Sequence, residues 1–318
     1  MNVFPSGQFS AIALLALVAS ACARPSAGLA QPQRTPSGDR SARVANVVQR
    51  LDDRIASIPG AQVAISVRDL STGRTLAING DSVYHAASTM KVPVLFALFG
   101  EFRAGRLRPD GRMLLRNEFT SIVDASRYSL TPNDDSDSSL YAMVGSQVAL
   151  KELATRMITR SSNLATNALI SLLDPQRITS ETRAWGTTRM LVRRGVEDNV
   201  AFRAGLNNTA TANDLVALFV ALARGQVADS ASTREMLAIL EAQSFNDEIP
   251  AGLPPGTRVA HKTGWITATQ HDAGLVYPPG RAPYAIAILT RGMTDQKVAN
   301  RLMADCSRIV WEWIVEGR

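Results

Sequence analysis

The stretch His85-Ala86-Ala87-Ser88-Thr89-Met90-Lys91-Val92-Pro93-Val94-Leu95 sets a serine and a lysine three residues apart at the start of an apolar run. Positions three apart share one face of a helix, so Lys91 can reach the Ser88 hydroxyl. A serine alone is a poor nucleophile and needs a neighbouring base. Burial lowers a lysine pKa toward the range where it can act as one. A serine that opens a helix also points its backbone N–H at a developing oxyanion. The pair is weak evidence alone. With 26 serines and 4 lysines, chance supplies a Ser-x-x-Lys in about one such chain in three. The plain alternative is a capping serine beside an exposed lysine.

The lysines are informative because they are scarce. Of 34 basic residues, 30 are arginine, and the lysines are Lys91, Lys151, Lys262 and Lys297. A codon bias toward arginine explains the background. Against it, a lysine stands out where arginine cannot substitute, since arginine never gives up its proton. Lys262 lies in His261-Lys262-Thr263-Gly264, at the end of a predicted strand. A Lys-Thr-Gly triplet arises by chance in about one chain in fifty of this composition. An ammonium and a hydroxyl recognise a carboxylate, and Gly264 lets a substrate backbone come close. A third cluster, Ser161-Ser162-Asn163, sits between two predicted helices and would mean nothing by itself, because such residues are ordinary caps and loops.

The order of the three is more telling than any one of them. Ser-x-x-Lys, then Ser-x-Asn, then Lys-Thr-Gly is the signature of penicillin-recognising serine enzymes. The flanking residues, Met157-Ile158-Thr159-Arg160-Ser161-Ser162-Asn163 and Val259-Ala260-His261-Lys262-Thr263-Gly264, resemble class A β-lactamases and their close relatives. The resemblance covers roughly residues 43–318. It implies that Ser88 is the nucleophile and Lys91 its proton partner. By the same resemblance Ser161 passes a proton to the leaving nitrogen and Asn163 binds the substrate side-chain amide. Lys262 and Thr263 hold the carboxylate, and the backbone N–H groups of Ser88 and Trp265 form the oxyanion hole. No metal and no cofactor is implied.

Three departures from the family pattern stand out. The middle residue of the Ser-Asp-Asn motif is Ser162, a position that is mainly structural. Trp265, after Lys-Thr-Gly, is bulkier than the usual small residue and narrows the site. The Arg-x-Trp-Glu-Pro-x-x-Asn loop is missing, and Arg194-Gly195-Val196-Glu197-Asp198-Asn199 stands in its region. Glu197 follows Asn163 at the spacing class A enzymes show for their deacylating carboxylate, which activates water. Ala201 occupies the place of the partner asparagine, and Glu181 is too near Asn163 to compete. A surface Glu-Asp pair is the plain alternative.

Fold class follows from periodicity together with the resemblance. Val44, Val47, Val48, Leu51 and Ile55 recur at helical spacing, predicting a helix over 43–57. Strands are expected at 61–69 and 75–78, around the turn Ser71-Thr72-Gly73-Arg74. Helices follow near 89–103, 147–159, 163–173 and 214–223, with a polar loop at 132–139 and an irregular stretch at about 175–207. Strands return at 258–262, 273–277 and 285–290, and a closing helix carries Val298, Leu302, Ile309, Val310 and Trp313. This is an α+β chain with an all-helical insertion. The resemblance makes it a β-lactamase/transpeptidase-like fold: an antiparallel sheet flanked by helices (about 43–87 and 208–318), an all-α part (about 88–207), and the active site between them.

The N-terminus is separate. The apolar run 11–21 is too short to span a bilayer and reads as a secretory signal over 1–23. A lipobox reading of Ala19-Ser20-Ala21-Cys22 competes, with a signal over 1–21 and lipid on Cys22. Residues 24–42 read as a flexible tether. The expected location is the periplasm or cell envelope, with membrane contact only through that lipid. Cys306, amid Leu302, Ile309 and Trp313, reads as a buried small apolar residue. The net charge of +6 brings no nucleic-acid motif with it. A monomer acting on a small β-lactam or a peptidoglycan-like peptide is expected. Fast loss of the acyl group makes a β-lactamase, the leading reading. Slow loss makes a penicillin-binding D,D-peptidase or an esterase of the same fold. A silent envelope-binding protein would have no need of Ser88, Lys91 and Ser161 together. A Ser-His-Asp hydrolase lacks its Gly-x-Ser-x-Gly elbow, and His271-Asp272 has no identifiable serine partner.

Overall fold

The computed structural model describes residues 36–317, with side chains from residue 42 onward. The signal and Cys22 expectations lie outside the described residues. The first helix, α1, runs Pro36–Ala56, so it takes in the end of the stretch 24–42 expected to be a tether. No helix among the described residues is long and apolar enough to cross a membrane.

The hairpin β1 (Gln62–Asp69) and β2 (Thr75–Ile78) forms as the turn residues require. Gly73, at φ +75°, supplies the left-handed turn, and the Asp69 side chain receives the Ser71 N–H and the Thr72 hydroxyl. Three longer strands close the chain: β3 (Arg258–Ile266), β4 (Thr269–Tyr277) and β5 (Tyr284–Arg291). Together they make one sheet in the order β2-β1-β5-β4-β3, antiparallel at every pairing. Both faces are buried, so β5 reads Ala285-Ile286-Ala287-Ile288-Leu289 without polar interruption. Small residues (Ala64, Ala260, Ala273, Ala287) go to one face and belong to the cluster containing α7 (Ala212–Ala223). Branched residues (Ile65, Val67, Ile286, Ile288) go to the other, under α1 and α9 (Gln296–Trp311). Cys306 is fully buried there.

The insertion between β2 and α7 carries five helices, α2 (Lys91–Arg103), α3 (Leu150–Thr159), α4 (Asn163–Leu172), α5 (Pro175–Ala184) and α6 (Asn199–Arg203); against the all-α expectation, Arg112–Leu114 also pairs with Gln147–Ala149, and Phe119–Thr120 with Arg127–Tyr128, as small antiparallel sheets. α2 is buried almost all round, including Val94, Leu95, Phe96, Leu98 and Phe99, and forms the axis of this half. Two further expectations need correction. The stretch about 175–207 contains α5 and α6, and α8 (Ser230–Glu241) lies where no element was expected. Both α5 and α8 are polar helices with few buried residues, so their periodicity is faint. Their caps were the readable signal: Asp174 before Pro175, and Asp229 accepting from two backbone N–H groups.

Candidate active site

The sheet edge β3 meets the start of α2, and the chemistry collects at that seam. Ser88 sits in a tight 3₁₀ turn, Ala87–Met90, directly before α2. Ala87 is held at φ +45°, costly for a residue with a Cβ. Its N–H donates to Nδ1 of His85 at 3.0 Å, and Thr89 Oγ1 donates to the Ala86 carbonyl at 2.6 Å. Gly264 makes the seam possible. A Cβ there would lie 2.7 Å from the Ser88 nitrogen and 2.9 Å from that of Thr89. The backbone that Gly264 admits is therefore the protein's own serine turn, rather than only a substrate chain. As an edge strand, β3 also leaves backbone N–H groups of its outer side unpaired by the sheet.

Lys91 is fully buried. Its Nζ donates to the Ser161 carbonyl at 2.6 Å, to Ser161 Oγ at 3.2 Å and to Asn163 Oδ1 at 2.8 Å. Burial pulls its pKa down to about 7, against the opposing pull of the Asp135 and Glu197 charges. Lys262, also fully buried, reaches the same hydroxyl: its Nζ donates to Ser161 Oγ at 3.1 Å and to the Thr263 carbonyl at 2.8 Å. Burial, and then the nearby charge of Lys91, pushes the Lys262 pKa well below its ordinary value. One serine hydroxyl thus joins two buried ammonium groups. That arrangement passes a proton easily and disfavours both lysines being charged together. Ser161 is itself strained, at φ +56°, and Ser162 Oγ caps α4 by accepting from the Ala165 N–H. Thr263 Oγ1 is buried with no hydrogen-bond partner among the described residues, as suits a hydroxyl reserved for a ligand.

Ser88, Asn163, Glu197 and Trp265 line one cavity of about 270 Å³ with His85, Phe202 and Ile266. Asn163 and residues 197–199 are shared with an adjoining cavity of about 220 Å³, whose wall includes Asp135 and Tyr141. Trp265 stands edge-on to Phe245, ring centres 5.0 Å apart, and Phe202 edge-on to His85 at 6.0 Å. The opening is therefore flanked by aromatics on both sides.

Glu197 faces both cavities but is exposed, at φ +59° on its loop. The loop is fixed at its neck rather than at Glu197. Arg194 donates to the carbonyls of Leu206 and Gly195 and to Asn207 Oδ1, and Asn208 bonds the backbone of Arg193 and Arg194. Asp198 is buried and accepts from Ser121, Ile122 and Ala201. Ala201 is fully buried, while Asn199, two residues earlier, lines both cavities beside Glu197. His85, Asp135, Tyr141, Asn199 and Phe202 were missed as site residues in the sequence. No local motif marks them, and only the tertiary fold brings them to the cavity.

The model of a family described as the β-lactamase enzyme family matches residues 45–314. Beta-lactamase AST-1 of Nocardia asteroides is 30% identical over 267 residues, 81% of this chain and 82% of that protein. A β-lactamase of Streptomyces fradiae is 29% identical over 307 residues, 94% and 95% of the two chains. Among solved structures, PBP-A superposes with a TM-score of 0.73 at 27% identity, covering 85% of this chain and 96% of that one. An ancestral class A β-lactamase gives 0.71 at 26%, covering 85% and 99%. With the family model spanning nearly all the described residues, and the buried Lys91–Ser161–Lys262 centre at the seam beside half-buried Ser88, this chain belongs to the β-lactamase enzyme family.

Proposed function

We propose that the protein is a serine β-lactamase of class A type that opens the lactam through an acyl-enzyme on Ser88. The observation carrying this reading is the convergence of two fully buried lysines on Ser161 Oγ, beside the cavity that Ser88 lines.

The lactam carbonyl carbon lies against Ser88 Oγ, with its oxygen between the backbone N–H groups of Ser88 and Trp265. Neutral Lys91 takes the Ser88 proton as Oγ bonds to carbon. Lys91 Nζ is engaged by Ser161 and Asn163, and takes the proton with Ser88 Oγ at hydrogen-bond distance. The C–N bond breaks, and the nitrogen receives the Ser161 proton while Ser161 is reprotonated from Lys91. Lys262 and Thr263 Oγ1 hold the substrate carboxylate, and Asn163 the side-chain amide. Water, activated by Glu197 with Asn199 beside it, then hydrolyses the ester and returns Ser88. The aromatics Trp265 and Phe202 bound the space for the acyl side chain. Export to the cell envelope belongs to the same reading, on the apolar run 11–21.

Hydrolysis of a chromogenic cephalosporin tests the reading. Wild type turns it over and Ser88→Ala does not. A protein inert toward it, with no covalent adduct, breaks the proposal.

A further inference from the structure

The motif departure at Ser162 has a structural counterpart in a loop far from it in sequence. α4 begins at Asn163, and the first N–H groups of a helix have no partner within it. Ser162 Oγ accepts only from Ala165 N–H, at 3.2 Å. The two N–H groups before that one, of Asn163 and Leu164, donate to Asp135 Oδ1 at 3.0 Å and Oδ2 at 2.8 Å. Asp135 stands 28 positions before Asn163.

We propose that Asp135 is a positioning residue for the site: it supplies from a distant loop the carboxylate that class A sequences carry at the middle of the Ser-Asp-Asn motif, and so fixes Asn163 and, through it, Lys91. The inference rests on the proposed function only for its kinetic consequence.

Asp135 is itself firmly held. It is buried, its Oδ1 also accepts from the Asp137 N–H at 3.0 Å, and its Oδ2 from Tyr141 at 3.2 Å. Asp137 in turn pairs with Arg156 on α3 at 2.9 Å, and Arg160 reaches it at 3.4 Å. The two aspartates therefore fasten one loop on either side of residues 161 and 162, one to the end of α3 and one to the start of α4. The consequence reaches the lysine in one step, because Asn163 Oδ1 accepts from Lys91 Nζ at 2.8 Å. A drift of the α4 start would move that oxygen. Removal of the carboxylate also removes one of the two negative charges that oppose the effect of burial on Lys91. Among the described residues the hydrogen bonds of Asp135 go to Asp137, Tyr141, Asn163 and Leu164, so it acts on the site through α4. Ser162 is fully buried and too short to reach both N–H groups in addition to the one it caps.

Two readouts test this. The first needs no turnover. With only 4 lysines, the side-chain ¹³Cε signals of lysine-labelled protein resolve singly, and the Lys91 titration can be followed by NMR. Asp135→Asn lowers its midpoint relative to wild type; an unmoved midpoint overturns the proposal. The second is kcat/KM. Asp135→Ala loses about 10–100-fold, the usual scale for removing a group that orients a reacting one. Adding Ser162→Asp to Asp135→Ala restores at least about tenfold of that on the same scale. A loss that Ser162→Asp leaves unrepaired, or no loss at all, contradicts the proposal. If Asp135→Ala does not fold, the same rescue is measured on Asp135→Asn. A wild type that never acylates would break the proposed function, yet the Lys91 titration would still decide the role of Asp135.

Discussion

The buried centre and the loop that walls it are secured in opposite ways. Lys91, Ser161 and Lys262 are sealed from solvent and joined through one hydroxyl, each held by further hydrogen bonds. The 194–208 loop is bolted at its neck by Arg194 and Asn208 and at Asp198, while Glu197 projects into the cavity exposed. In the proposed reaction, formation of the acyl-enzyme draws on the first region and its hydrolysis on the second. The difference teaches where the proposed reaction would find its acylating base: in a preorganised, low-dielectric core whose burial lowers the Lys91 pKa. In the proposed reaction, deacylation rests on Glu197, an exposed side chain whose place is set by backbone geometry.

Removing the base of the buried centre is the most drastic way to probe that division. Lys91→Met should lower the rate of acylation by roughly 10³–10⁴-fold, the upper range for loss of a general base. Stopped-flow acylation by benzylpenicillin measures it, and an unchanged rate would exclude Lys91 as the base. In the loop, Glu197→Gln should lower steady-state turnover by about 10²–10³-fold while leaving acylation within a few-fold of wild type. Equal turnover in variant and wild type removes Glu197 from the reaction.

At the seam, Gly264→Ala drives a Cβ to within 2.7 Å of the Ser88 nitrogen. A displacement of the nucleophile on the order of 1 Å costs about 10²-fold in kcat/KM. Circular dichroism should show the fold retained. The pH profile separates the regions more gently. Lys91 acts when neutral, and its pKa of about 7 puts the acid limb of acylation near there, falling about tenfold per pH unit below it. A limb set near the ordinary carboxylate range would point to an acid as the base instead. Smallest is Asn199→Ala, expected to slow deacylation by roughly tenfold, less than loss of the base itself, without altering acylation.

The same contrast describes what the sequence made legible. Ser88, Lys91, Ser161, Asn163, Lys262 and Thr263 are readable because each motif is local, and order along the chain replaces distance. The five strands are readable from apolar runs between turns, α2 from its continuous apolar run, and α1 and α9 from their periodicity. The polar helices α5 and α8 are not, because helical periodicity needs a buried face and theirs is narrow. Gly264 was legible as a close approach, but not the identity of the chain approaching it. Asp135 bonds the start of α4 across 28 positions, and Asn199 opens α6 after an irregular loop; neither stretch carries a compositional pattern. Glu197, singled out by its spacing from Asn163, does line the same cavities as Asn163 and Asn199.

The division between centre and loop is tested most directly by the mass of the intact protein after brief exposure to benzylpenicillin, for wild type and Glu197→Gln side by side. The account predicts an adduct on Ser88 that vanishes within seconds to minutes in wild type and persists in Glu197→Gln. An adduct that clears equally fast from both would contradict it.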